Sequence, residues 1–130
     1  MFSKNKQNLR ITSINVRGLC ELKKRARLFK EWKEKYDIIF VSETHSSSLS
    51  EEAWSNEWKG QSENDSIWSN GSNKARGCAI LTTGIKLKTI FKSENGRIVL
   101  ASCDLPHYGT VCLISVYAPT KDKQKSQLEF

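Results

Sequence analysis

Residues 9–45 read LRITSINV, RGLCE, LKKRARLFKEWKEKY, DIIFVSETH, and the change of period along them sets the architecture. In the first piece, Leu9 and Ile11 face one way and Ile14 and Val16 the other, the pattern of a strand buried on both faces. Arg17-Gly18-Leu19 turns out of it. From Leu22 to Tyr36 the period lengthens. Leu22, Ala26, Phe29, Trp32 and Tyr36 recur at three- and four-residue spacing with Lys and Arg between them, which predicts an amphipathic helix. Asp37 to Val41 is a second short apolar run. Strand, helix and strand in this order make a βαβ unit, whose two strands lie parallel with a right-handed crossover.

Beyond this unit, Ser48 to Trp58 reads as a shorter helix. Ser48-Leu49-Ser50-Glu51 has capping-box spacing, and Ala53, Trp54 and Trp58 form its apolar stripe. Gln61 to Gly77 is polar and reads as a connection. The period then drops to two over Cys78–Thr83, Lys86–Lys92, Arg97–Leu105 and Thr110–Tyr117, predicting four strands joined by short turns. Asn95-Gly96 is a strong hairpin signal, and Pro119 stops the last strand. The fold class is α+β, a layered sheet with helices.

The chain has 130 residues, 38% of them hydrophobic, which fits one globular domain or part of one rather than a disordered segment. No apolar run is long enough to span a bilayer, so no membrane partner is expected. Met1 to Arg10 is polar and lacks the apolar core of a secretory signal, which predicts an intracellular protein. Residues 1–8 read as a polar extension and 9–130 as the domain. Cys20, Cys78, Cys103 and Cys112 show no CxxC pairing, which argues against zinc. Cys78, Cys103 and Cys112 lie in strand-like runs and are expected as buried free thiols in a reducing compartment. Net charge is +7, and residues 1–36 hold 11 Lys and Arg against three acids, so the rest is close to neutral. A basic first third points to an anionic partner, nucleic acid first, or to a plain solvated helix face.

Parallel strands present their carboxyl ends on one edge, where ligands of open α/β sheets bind. Asn15 closes the first strand, Glu43 stands just past the second, and Tyr117 closes the last. One carboxylate with amide and phenol groups nearby suits Mg²⁺, which takes one or two carboxylates and completes its shell with phosphate and water. Each residue also has an ordinary role. Glu43 serves as a cap, His45 as a surface histidine, Asn15 as a turn residue, and Tyr117 as a core aromatic. Taken singly the ordinary role is the stronger reading; the conjunction at one rim favours a site.

Four blocks, INVRGL (14–19), DIIFVSETH (37–45), ARGCAIL (75–81) and ISVYAPT (114–120), stand in an order and spacing that resemble the exonuclease–endonuclease–phosphatase family. Within it the chain is most similar to the endonuclease domain of LINE-type non-LTR retrotransposons, over about Leu9 to Leu128. The resemblance implies part of a four-layer α/β/β/α sandwich of the DNase I-like kind, its N-terminal half. It implies Glu43 as ligand of Mg²⁺ or Mn²⁺, Asn15 as support of the metal network, Tyr117 as a phosphate contact, and His45 as a further catalytic-site residue. The activity implied is phosphodiester hydrolysis, nicking of target DNA, with Arg17, Lys74 and Arg76 on DNA phosphates. Localisation would be nuclear if the target is genomic DNA. A reverse transcriptase region in a longer polyprotein is an implied partner.

The chain departs from the family at Ser42, where glutamine is frequent, and at Thr120, where asparagine is. Arg17 replaces the second acid of apurinic endonucleases, which points away from abasic-site repair. The family's Gly-Asp-Phe-Asn and late Ser-Asp-His blocks have no counterpart before Phe130. These 130 residues alone are therefore expected to nick DNA negligibly, and one sheet is expected to leave its inner apolar face uncovered. Three other readings stay open: a nonenzymatic basic nucleic-acid-binding remnant, a phosphoesterase of the same family with another substrate, and an inert fragment.

Overall fold

The computed structural model describes residues 8–72 and 75–118. Among the described residues, two helices and seven strands run in the order β1 (Ile11–Asn15), α1 (Leu22–Lys35), β2 (Ile38–Ser42), α2 (Ser48–Lys59), β3 (Asp65–Ser69), β4 (Cys78–Thr82), β5 (Lys88–Lys92), β6 (Ile98–Leu105) and β7 (Gly109–Val116). They build a four-stranded sheet, β1-β2-β4-β3, and a three-stranded sheet, β5-β6-β7. β1 and β2 are parallel neighbours, as the βαβ pattern requires, and every other pairing is antiparallel.

The period-two alternation of β2 and β4 divides the core in two. Ile39, Val41, Ala79 and Leu81 face the helices and meet Phe29 and Trp32 of α1, Trp54 and Trp58 of α2, and Trp68 of β3. Ile38, Cys78 and Ile80 face the other way and meet Val99, Ala101, Cys103 and Leu105 of β6 and Leu113 of β7. The described residues thus form three layers, helix on sheet on sheet. The inner faces of the two sheets cover each other over β2, β4 and β3, but β1 keeps its inner side open, with Ile11 54% exposed, so the expected uncovered inner face is found only along that edge. A further exposed apolar surface lies on the outer side of the second sheet. There Phe91, Leu100 and Ile114 form one cross-strand row, and Ile98 pairs with Val116 beside it.

Four further expectations change. β1 is an edge strand and not buried on both faces; Ile11 is 54% exposed. Ser47, not Ser48, caps α2: its side chain accepts from Ser50 N–H, and the Ser50 hydroxyl accepts from Ser47 N–H. β3 forms inside the stretch read as a polar connection, through antiparallel pairing with β4. The α1 stripe is shifted as well. Leu22 and Ala26 are exposed, while Arg25 is buried, pairing with Glu57 and donating to the Leu19 carbonyl under the Trp54 ring.

None of the four cysteines forms a disulfide; Cys78 and Cys103 are buried, whereas Cys20 and Cys112 are exposed, so Cys112 departs from expectation. Burial pushes the Cys78 thiol up to about 12 from an ordinary 9.0. The folded state then keeps a proton that the unfolded chain releases, so stability is unaffected below pH 9.0 and falls as pH rises from there toward 12. Urea midpoints measured between these limits are expected to decline more steeply for the wild type than for Cys78→Ala. Equal slopes would count against a buried, protonated thiol.

Candidate functional site

β1 and β2 run in register from Ile11 opposite Ile38 to Asn15 opposite Ser42. Glu43 therefore leaves the sheet one residue beyond Asn15's partner, and both side chains stand on the same rim. The Asn15 amide Nδ2 donates to Glu43 Oε2. The other end of that amide, Oδ1, accepts the Arg17 backbone N–H at 3.2 Å. Asn15 is thus held from its own loop and in turn orients the carboxylate.

Past β2 the chain makes a strained exit. Glu43 (φ 54°) and His45 (φ 57°) both adopt the left-handed region, which costs an L-residue about 1–2 kcal/mol each. Backbone bonds from two directions hold them there. From the β1–α1 loop, Gly18 N–H donates to the Glu43 carbonyl (2.7 Å) and Leu19 N–H to that of Thr44 (2.9 Å). From the segment entering β4, Thr44 N–H donates to the Gly77 carbonyl (3.0 Å) and His45 N–H to that of Arg76 (2.9 Å). Strain of this kind, over-determined by its surroundings, gathers at functional sites.

His45 is half-buried, and its imidazole lies against Gly18, where a Cβ would come within 2.6 Å of Nδ1. Gly18 also sits at φ 97°, so both the turn and the ring's seat need glycine. Tyr117 is reached through β7. Cys78 pairs with Ser42 across the sheet, and its Sγ donates to the Ser115 carbonyl at 3.7 Å. Tyr117, two residues on, therefore lies at the same end of the sandwich as Glu43. Its N–H donates to the Arg97 carbonyl and its ring packs against the inter-sheet core. Arg17 and Arg76 are exposed at this end, both at positive φ. Lys74 lies outside the described residues.

The structure therefore joins Asn15 to Glu43 directly, sets His45 two residues away, and brings Tyr117 to the same end. Three residues of this rim escape a reading of the sequence. Thr44 and Ser46 are fully buried and bond to each other through their hydroxyls at 2.8 Å, and Gly77 stands against them. Thr44 and Gly77 lie within the blocks DIIFVSETH and ARGCAIL, and Gly77 stands immediately before an apolar strand, but nothing in the sequence shows that the two meet.

Among the described residues, no cluster of three or more His, Cys, Asp or Glu forms. Glu43 is the carboxylate at this rim that could hold a metal ion which takes the rest of its shell from phosphate and water. Among the described residues no helix is long and apolar enough to cross a membrane.

No protein-family model and no curated relative matches the chain. Among solved structures the fold matches the 3'-5' exonuclease (NExo) from Neisseria Meningitidis with a TM-score of 0.53 and 16% sequence identity. The match covers 92% of this chain and 48% of that one, so this chain spans about half that protein's length. The likeness is one of fold, a nuclease-like α+β arrangement.

Proposed function

We propose that this chain carries the metal- and phosphate-facing part of a phosphodiester-hydrolysing site that acts on DNA. The observation that carries this reading is the Asn15–Glu43 pair at the carboxyl end of adjacent parallel strands, held there by a strained backbone. The nuclease-like fold and the LINE-type motif blocks support it.

Each residue has a defined task in this reading. Glu43 supplies the anionic ligand for Mg²⁺ or Mn²⁺. Asn15 fixes the carboxylate's orientation. Tyr117 donates a hydrogen bond to a phosphate oxygen, and Arg17 and Arg76 contact neighbouring phosphates, positioning the duplex without reading its sequence. The metal, when bound, polarises the phosphate and offsets charge on the leaving oxygen. One carboxylate cannot both hold an ion and direct the attacking water, so these 130 residues alone nick DNA negligibly. The parent protein is an endonuclease of the retrotransposon type.

The test is Mn²⁺ titration of the full chain, read by paramagnetic broadening of the Asn15 side-chain amide signal. Broadening is expected in the wild type and is expected to vanish in Glu43→Gln. Equal broadening in both would sink the metal assignment, and Mg²⁺-dependent nicking by the chain that disappears in Glu43→Ala would sink the inactivity.

A nonenzymatic basic nucleic-acid-binding role is the second reading. Several of the basic side chains behind it are already engaged. Arg10 bonds to Asp37 and the Glu34 carbonyl, Arg25 to Glu57, Lys24 to the Val16 carbonyl, Lys33 to the Glu57 carbonyl, and Lys35 to Glu31. Lys23, Arg27 and Lys30 remain exposed on α1. DNA binding that weakens with salt and in Lys23→Ala, Arg27→Ala and Lys30→Ala, and is indifferent to Glu43, would favour this second role.

A further inference from the structure

Glu43 is oriented by the Asn15 amide, and the turn that presents it leaves the sheet under strain. Beside it in the turn lies Thr44, a buried side chain pressed against the bare Cα of a glycine. Thr44 is completely buried between two left-handed residues. Its Oγ1 bonds to Ser46 Oγ at 2.8 Å and accepts the Ser46 backbone N–H at 3.3 Å. The wall of its seat is Gly77. A Cβ on Gly77 would stand 2.2 Å from Thr44 Oγ1, 3.2 Å from His45 N and 3.2 Å from Ser46 Oγ. Gly77 also sits at φ 92°, which L side chains rarely adopt.

The contact has a direct geometric consequence for the site. Thr44 is drawn inward, toward Gly77, by its hydroxyl network and by its N–H bond to the Gly77 carbonyl. With Thr44 pinned inward and its two neighbours left-handed, the Glu43 side chain is turned out to the rim and meets the Asn15 amide. If the Thr44 seat filled or emptied, the strained exit would lose the packing that over-determines it, and Glu43 would relax out of reach.

We propose that Thr44 and Gly77 are positioning residues for Glu43, acting through the buried seat that fixes the turn. This rests on the reading of Glu43 as a metal ligand and names what controls that ligand. Neither residue touches the metal or the substrate. Outer partners of this kind typically matter about tenfold or more in metal affinity.

The experiment uses the full chain, with Mn²⁺ as the probe and two readouts: Mn²⁺ affinity per folded molecule, and the resonance position of the Asn15 side-chain amide without metal. Thr44→Ala is expected to weaken Mn²⁺ binding about tenfold and to shift the Asn15 amide signal. Thr44→Ser keeps the hydroxyl and is expected to restore both readouts close to wild type, which a general loss of stability would not do. Gly77→Ala is expected to remove binding; if it fails to fold, the two Thr44 variants decide. A folded Thr44→Ala with wild-type affinity and an unmoved Asn15 signal overturns the proposal. If the wild type itself shows no Mn²⁺ response, the metal reading falls. The Asn15 amide shift alone then decides the positioning claim.

Discussion

Trp58→Ala lowers the thermal midpoint by about 10–20 °C, the equivalent of about 3–5 kcal/mol for a buried aromatic truncated in a chain of this size. The indole is completely buried and joins three elements at once. Its ring stands edge-on to Phe29 of α1 with centroids 5.3 Å apart. Its Nε1 donates to the Thr82 carbonyl at the end of β4, at 3.0 Å. The Lys33 ammonium lies 5.3 Å over its face. Truncation removes apolar contact on all sides and leaves the Thr82 carbonyl without that donor. A domain of this size has only about 5–15 kcal/mol to lose. Scanning calorimetry reads the change directly, and a shift of about 3 °C or less would mean that α2 is not anchored through this ring.

The second large effect is at the rim, where two substitutions of one residue separate ligand from strain. In the proposed reading, neither Glu43→Ala nor Glu43→Gly retains a Mn²⁺ response. The two differ in stability, however, and in the direction opposite to the usual one. Alanine keeps the left-handed cost at φ 54°, whereas glycine does not. After allowing for glycine's greater freedom in the unfolded chain, Glu43→Gly is more stable than Glu43→Ala by about 0.5–1 kcal/mol. That is a higher melting point by about 2–4 °C. An alanine variant that melts higher than the glycine variant would show that the carboxylate is not held under strain.

Much of this is legible in the sequence, for reasons that also explain what is not. The βαβ unit is written in the switch from period two to a three-to-four spacing and back, and parallel neighbours must end on one rim. Asn15 and Glu43 can therefore be placed together before any coordinates. The helix cap falls one residue off because Ser46, Ser47, Ser48 and Ser50 all carry the same capping hydroxyl. β3 escapes because Asp65-Ser66-Ile67-Trp68-Ser69 has little strand propensity of its own. Pairing with β4 makes it a strand. Arg25 reads as a surface cation because its partner, Glu57, lies on another helix 32 residues away. The Thr44–Gly77 seat is invisible for a similar reason. It depends on the register of β2 against β4, which sets Ser42 opposite Cys78.

That register has a consequence in time. The β5-β6-β7 meander joins strands through short turns, and such hairpins form in about 1–10 μs. Pairing β2 with β4 must first close the long excursion through α2 and β3, and non-local closures of this kind come later. The rim needs both events, because Gly77 N–H also donates to the Gly96 carbonyl in the β5–β6 turn, at 3.0 Å. Glu43 therefore reaches its final direction only after the two sheets have docked. If the proposed metal reading holds, metal responsiveness appears as the last signal in a stopped-flow refolding experiment, after secondary structure and after the tryptophans are buried.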